Sequence, residues 1–125
     1  ALTSFPAYWR GEHYWRRFVG DVNQPAERAE MLRNSPVSYL DQIRAPLLVV
    51  HGANDIRVLR QDSDDVVQAL RERGHPVNYL LFPNEGHSIS KWRNRLAMWR
   101  EIEDFFADCL GGRSAGFDYY QLMPR

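Results

Sequence analysis

An aspartate and a histidine each stand in a loop that follows an apolar, strand-like run. Asp55 follows the run Leu47 to Val50, and His87 follows the run Val77 to Phe82. An imidazole has an ordinary pKa of about 6.5, so it can take up and return a proton near neutral pH, and a carboxylate beside it fixes its tautomer. The two residue types are those of a general base and the acid that orients it.

A β-α-β unit is predicted to bring these two side chains together. Leu47 to Val50 is continuously apolar, which is typical of strands in parallel sheets. Asp62 to Arg73 has a helical pattern with acids near its start and arginines near its end, and Gly74 is the expected stop. Because parallel strands end at the same edge of a sheet, we expect Asp55 and His87 to be near neighbours there.

Further helices are predicted on both sides of this unit, so the fold class is α/β, a short parallel sheet with flanking helices. They cover Glu12 to Val19, Ala26 to Arg33 and Lys91 to Leu110, and a capping box of Ser38 and Asp41 predicts one more short turn. The last helix carries one apolar stripe that is predicted to lie against a sheet. The stripe consists of Trp92, Leu96, Trp99, Ile102, Phe106 and Leu110.

The chain has no motif for a serine nucleophile. A Gly-x-Ser-x-Gly elbow, which presents a serine on a sharp turn between strand and helix, does not occur in it. A base with no hydroxyl to activate and no oxyanion hole beside it cannot carry out acyl transfer. We therefore expect the nucleophile-bearing part to lie outside these 125 residues, and the chain alone to be inactive.

The charge balance of the chain argues against two classes of binding partner. Lys plus Arg and Asp plus Glu are both 16, so no basic surplus exists to attract nucleic acid or acidic membranes, and neither is predicted as a partner. The single cysteine, Cys109, lies among apolar residues and is predicted to be a buried, inert thiol. A lone cysteine agrees with a cytoplasmic location, although any targeting segment upstream would be missing from this chain.

Metal binding is the competing use of the residues at the strand ends. His51, Asp55, Glu85 and His87 could cluster there, but His-x-x-x-Asp and Glu-x-His are weak spacings. We predict no metal and no cofactor. His51 is assigned instead to packing at the end of its strand, and Glu85 to stabilising the loop that carries His87.

Three segments of the chain resemble the prolyl oligopeptidase family of serine peptidases, in the α/β-hydrolase superfamily. They are SPVSYLDQIRAPLLVVHGANDIRV, RERGHPVNYLLFPNEGH and NRLAMWREIEDFFADCLGG. The resemblance covers residues 1–112 and leaves 113–125 as an irregular aromatic tail. The chain departs from the family pattern at Ile56 and Leu59, where proline is common, and at Ser88, where glycine is.

The resemblance implies a fold, a chemistry and a pocket. Residues 1–112 would be the C-terminal portion of an α/β-hydrolase domain that cleaves peptide or acyl bonds with a Ser-Asp-His triad. Asp55 and His87 would be the catalytic acid and base. Tyr8, Trp9 and Tyr14 lie in a region where the family has aromatic residues that line the substrate pocket.

Two alternatives stay open at the level of sequence. Esterases and dienelactone hydrolases share the same order of strand, aspartate, helix, strand and histidine, so the chain could be a fragment of one of these. It could also be a non-catalytic α/β module that self-associates through an exposed strand edge or through the aromatic tail.

Overall fold

The structure, a computed structural model, describes residues 14–116 and the side chains from Arg16 onward. The chain divides into two compact units, one ending at Ser90 and the other beginning at Lys91. The prediction of one domain over residues 1–112 stays a prediction. None of the helices in residues 14–116 is both long and apolar enough to cross a membrane.

The described part of the first unit contains both strands, and the second contains one long helix. In chain order the elements are α1 (Tyr14–Phe18), α2 (Pro25–Arg33), a 3-10 helix (Pro36–Gln42), β1 (Leu47–Gly52), α3 (Arg60–Glu72), β2 (Val77–Phe82) and α4 (Trp92–Leu110). The described residues thus form an α/β arrangement with a short sheet, as the sequence predicts.

The two strands are parallel, and α3 connects them. Their register runs from Leu47 opposite Val77 to Gly52 opposite Phe82, so both strands end at the same level. Val67 and Leu70 of α3 are almost fully buried, and α3 contacts both strands and the 3-10 helix. Since a buried Leu or Val side chain contributes about 1.5–3 kcal/mol, these two residues are major contributors to the core.

The end of α3 has the geometry that its glycine predicts. Gly74 has a φ of 69°, in the left-handed region, and its N–H donates to the carbonyl of Arg71. The N–H of His75 donates to the carbonyl of Leu70. This pair of bonds is a Schellman motif, which satisfies carbonyls that the helix end leaves free and directs the chain into β2.

A polar network ties β2 to the first turns of α3. The hydroxyl of Tyr79 donates to Asp64 at 2.8 Å, and Nε of Arg60 lies 3.0 Å from the other carboxylate oxygen of Asp64. Burial, followed by the hydrogen bond to Asp64, raises the pKa of Tyr79 to about 12, so the phenol stays protonated and remains a donor. The start of α3 is therefore anchored to the sheet.

The predicted capping box at Ser38 is wrong. The hydroxyl of Ser38 donates to the carbonyl of Leu32 at 2.7 Å and caps no helix, and the 3-10 helix begins earlier, at Pro36. Proline lacks the N–H that a first helical position leaves unpaired, and its φ is already suited to that position. Pro36 therefore determines the start of the turn.

Within residues 14–116, the apolar stripe of α4 is not buried as predicted. Trp92, Trp99, Phe106 and Leu110 are each more than half exposed, and α4 has no buried residue. Cys109 is exposed as well, which corrects its assignment as a buried thiol. The prediction rests on periodicity, which identifies an apolar face but does not identify the segment that covers it.

The loops after the two strands touch through their backbones. Ala53 N–H donates to the Phe82 carbonyl and Asn54 N–H to the Glu85 carbonyl, both at 2.9 Å. At Gly52 the approach is so close that a Cβ would lie 2.1 Å from the carbonyl oxygen of Gly86. Only glycine allows these two loops to come together in this way.

Gly52→Ala is expected to destabilise the protein by about 1–3 kcal/mol or more, because the added methyl group would force the two loop backbones apart. Gly86→Ala is the matched control. A Cβ at Gly86 would meet only the Asn54 carbonyl oxygen at 3.7 Å, and the φ of Gly86 is not left-handed. This variant should stay within about 0.5 kcal/mol of wild type. Urea unfolding measures both, and equal losses would contradict the role of Gly52.

Candidate active site

The Asp55 carboxylate is buried and held by the backbone of its own loop. Its side chain is 6% exposed, and Oδ1 accepts hydrogen bonds from the N–H groups of Arg57 at 2.7 Å and Val58 at 3.0 Å. Asp55 N–H in turn donates to the Gly52 carbonyl. An aspartate that bonds the backbone two and three residues onward forms a local turn, and here that turn leaves Oδ2 available to another partner.

That other partner is His87. Nδ1 of His87 lies 2.9 Å from Oδ2 of Asp55, so the structure brings together the two residues that the sequence places at one sheet edge. A carboxylate can only accept, so Nδ1 carries the proton, and in the neutral ring Nε2 has the lone pair. Nε2 has no hydrogen-bond partner within residues 14–116, and the side chain is 47% exposed.

The surroundings of Asp55 keep it ionised. Burial works to raise its pKa, but the hydrogen bonds from the Val58 N–H, from His87 and from the Arg57 N–H, together with the charge of a protonated His87, outweigh it. The pKa of Asp55 therefore lies below its ordinary value of 3.8. At neutral pH a negative charge faces the His87 ring.

Glu85 shapes the loop that carries His87. Its side chain is buried, and Oε2 accepts bonds from the N–H and the hydroxyl of Ser90, both at 3.1 Å. The side-chain amide of Asn54 adds a bond across the two loops, donating to the Pro83 carbonyl at 3.0 Å. Glu85 thus has the loop-stabilising contacts that the sequence suggests.

His51 has contacts that sequence reasoning missed. The ring is buried, with Nε2 at 3.2 Å from the Val58 carbonyl oxygen and Nδ1 at 2.9 Å from the Ser63 hydroxyl. The sequence alone assigns His51 to packing at the end of β1. The available signal was a polar residue inside an apolar strand, because a buried imidazole needs hydrogen-bond partners for its ring nitrogens.

The four residues weighed as a metal site have separate partners. His51 binds Val58 and Ser63, Glu85 binds Ser90, and Asp55 binds His87. Within the part of the chain that the structure describes, no group of His, Cys, Asp and Glu residues could hold a metal ion. What the geometry offers there is proton transfer at Nε2 of His87, with Asp55 orienting the ring.

The proposed aromatic pocket is not tested by these contacts. Tyr8 and Trp9 lie outside the described residues. Tyr14 begins α1, but the structure describes neither its side chain nor the tail beyond residue 116. The assignment of Tyr8, Trp9 and Tyr14 to substrate binding stays a prediction.

Comparison with known proteins gives consistent matches. A model of the prolyl oligopeptidase family matches residues 5–113. Dipeptidyl aminopeptidase BIII of Pseudoxanthomonas mexicana is 40% identical over 115 residues, which are 90% of this chain and 16% of that protein. Dipeptidyl peptidase family member 6 of Caenorhabditis elegans is 34% identical over 118 residues, 93% of this chain and 16% of that protein.

A solved structure agrees with these matches. The puromycin-hydrolyzing peptidase of Mycobacterium tuberculosis superimposes with a TM-score of 0.72 at 25% identity, over 79% of this chain and 15% of that one. The predicted α/β-hydrolase fold class is thereby confirmed. The chain spans only 16% of the length of each of the two relatives named above.

Asp55→Asn is expected to make the protein less sensitive to acid. Because the pKa of Asp55 is lowered in the folded state, its carboxylate contributes stability above the unfolded-state pKa, and that contribution is lost as the pH falls through the folded-state value, below 3.8. The free energy of unfolding should then fall less steeply in the variant. Urea unfolding between about pH 6 and about pH 2 measures the two slopes.

The control for this experiment is Asp41→Asn. Asp41 is exposed and makes no hydrogen bond or ion pair within residues 14–116, so its removal should leave the acid slope closer to that of wild type. An Asp55→Asn variant with the same slope as wild type would show that the carboxylate does not have the lowered pKa.

Proposed function

The chain belongs to the prolyl oligopeptidase family, and on that basis we propose that it supplies the catalytic base His87 and the orienting acid Asp55 of a serine peptidase. The observation that carries the proposal is the 2.9 Å hydrogen bond between Nδ1 of His87 and Oδ2 of Asp55. It directs Nε2, the atom that would accept a proton, to the opposite side of the ring from the carboxylate.

In the proposed reaction His87 moves one proton twice. Nε2 accepts the proton of a serine hydroxyl as that oxygen attacks the acyl carbon, and then donates it to the leaving amine. Asp55 stays ionised throughout, holds the ring in the Nδ1–H tautomer and stabilises the imidazolium that forms. The lowered pKa of Asp55 suits this role, because a protonated acid could not accept from Nδ1 in the same way.

We propose that the serine and the oxyanion donors belong to a longer polypeptide. No Gly-x-Ser-x-Gly occurs in the 125 residues, and the family relatives are about six times as long as the part that matches. These 125 residues would be the C-terminal part of that polypeptide and inactive alone. An open reading frame that encodes such an elbow upstream of Ala1 would support this arrangement.

Peptides are the substrate class that we propose. The family match favours a peptide over the ester or dienelactone of related hydrolases, and the relatives have names such as dipeptidyl aminopeptidase. Tyr8, Trp9 and Tyr14 remain our proposed pocket residues, since flat aromatic rings provide apolar contact area with few rotatable bonds.

A fluorophosphonate probe, which labels activated serines, tests whether the nucleophile lies outside these 125 residues while the acid and base lie within them. The purified 125-residue chain should not be labelled, whereas the longer polypeptide should be. In that polypeptide His87→Ala should abolish labelling, and Asp55→Asn should lower kcat by about 10⁴-fold, because the ring would lose its required tautomer.

His75→Ala is the control for these two variants. His75 is another partly exposed histidine of the same unit, and its Nε2 lies 2.8 Å from the Ala45 carbonyl oxygen, at the opposite end of the strands. This variant should retain labelling and kcat. Labelling of the isolated chain would contradict an external nucleophile, and an active His87→Ala variant would contradict the assignment of the base.

Self-association is a second proposal, favoured by a different observation. Within the described residues the sheet has only two strands, so each strand has one unpaired edge, and four large apolar residues of α4 are exposed: Trp92, Trp99, Phe106 and Leu110. Exposed strand edges and contiguous apolar surface both promote association. The occupant that we propose is a second copy of this chain.

Light scattering at micromolar concentration should give a mass above that of the 14.7 kDa monomer. Trp99→Glu should lower the measured mass, because it places a charge within the exposed apolar stripe. Ala97→Glu introduces the same residue at an exposed position of α4 on the face opposite the stripe and should leave the mass closer to wild type. A monomeric mass for the wild-type chain would contradict the proposal.

A further inference from the structure

The His51 ring is held at both of its nitrogens. His51 lies on β1 one residue before the end of the strand and is only 8% exposed. Its ring contacts the Val58 carbonyl and the Ser63 hydroxyl. These contacts connect the strand to two other places, the loop that follows Asp55 and the first turns of α3.

The partners determine how the proton is arranged on the neutral ring. The Val58 carbonyl can only accept, so Nε2 of His51 is the donor. Nδ1 then has the lone pair and accepts from the Ser63 hydroxyl, which is free to rotate into place. Both ring nitrogens are thereby satisfied, as a buried imidazole requires.

Val58 connects this ring to the Asp55–His87 pair. Its carbonyl accepts from His51, while its own N–H donates to Oδ1 of Asp55 at 3.0 Å. A continuous series of hydrogen bonds therefore runs from Ser63 through His51, Val58 and Asp55 to His87. The last bond in the series is the one that orients the proposed catalytic base.

The loop that contains Val58 has little apolar burial to fix it. Ile56 is 72% exposed and Leu59 is 42% exposed, so neither side chain anchors the loop in the core. A backbone segment without such packing is held mainly by its hydrogen bonds. His51 supplies one of these bonds from the buried side.

We propose that His51 is a positioning residue for the Asp55–His87 pair. By holding the Val58 backbone it keeps the Val58 N–H on Oδ1 of Asp55, and this fixes the direction of Oδ2 toward Nδ1 of His87. Without that support Oδ1 keeps only the Arg57 N–H as a backbone donor, so the carboxylate is held less firmly toward His87. A larger share of the His87 rings then carries the proton on Nε2, which leaves no lone pair at that atom to act as a base. The catalytic consequence rests on the proposed function, whereas the structural coupling does not.

Three substitutions at position 51 separate the two ring contacts. His51→Phe keeps an aromatic ring but loses both hydrogen bonds. His51→Asn retains an amide near the former position of Nδ1 and loses the donor to Val58. His51→Gln extends its amide nitrogen to about the reach of Nε2 and should restore that donor. Ser63→Ala removes only the contact at Nδ1 and tests the proposal if the position-51 variants unfold.

The readout is the tautomer of His87, measured by long-range ¹H–¹⁵N correlation at alkaline pH, where imidazoles are neutral. In the wild-type chain we expect the Nδ1–H form. In His51→Phe and His51→Asn we expect it to shift toward Nε2–H, with a smaller shift in Ser63→Ala and recovery of the wild-type form in His51→Gln. A merely structural role would lower the unfolding midpoint without changing the tautomer of the folded molecules.

Asp55→Asn distinguishes failure of the positioning role of His51 from failure of the proposed function. If it changes the His87 tautomer while folded His51→Phe, His51→Asn and Ser63→Ala do not, the positioning role of His51 is overturned and the proposed function survives. If Asp55→Asn also leaves the tautomer unchanged, the Asp55–His87 pair does not form in solution, and the geometric basis of the proposed function fails with it.

Discussion

The backbone contact between the two loops that follow β1 and β2 is the constraint on which the site depends. Gly52 packs against the Gly86 carbonyl at a distance that leaves no room for a side chain, and hydrogen bonds from Ala53 and Asn54 continue the pairing beyond the last residues of the strands. Asp55 and His87 come from these two loops. Their side chains are within hydrogen-bond distance because the two loop backbones are in direct contact.

A buried carboxylate is costly unless hydrogen bonds compensate for the water it loses. Asp55 receives that compensation from its own loop, through the N–H groups of Arg57 and Val58, and from His87. The same bonds keep the group ionised and determine where each oxygen points. The hydrogen bonds that stabilise the charge of Asp55 therefore also orient the His87 ring.

The sequence predicts the parts of this arrangement that depend on local patterns. The apolar runs before Asp55 and His87 identify both strands, the amphipathic pattern identifies α3, and Gly74 identifies its end, because each feature is encoded by residues adjacent in the chain. Contacts between distant residues leave a weaker signal. Neither the bond from His51 to Val58 nor the close approach at Gly52 can be read from composition or periodicity.

The acid and its support lie within a short stretch of chain. Residues 51–63 contain Asp55, both backbone donors to its Oδ1, the His51 ring and the Ser63 hydroxyl, whereas His87 comes from the loop after β2. This stretch of chain is preorganised, because the N–H dipoles of Arg57 and Val58 already point at the Asp55 carboxylate and need no rearrangement. The Asp55 carboxylate and its donors are therefore oriented by this stretch of chain, and the only ring atom of the pair left without a partner within residues 14–116 is Nε2 of His87.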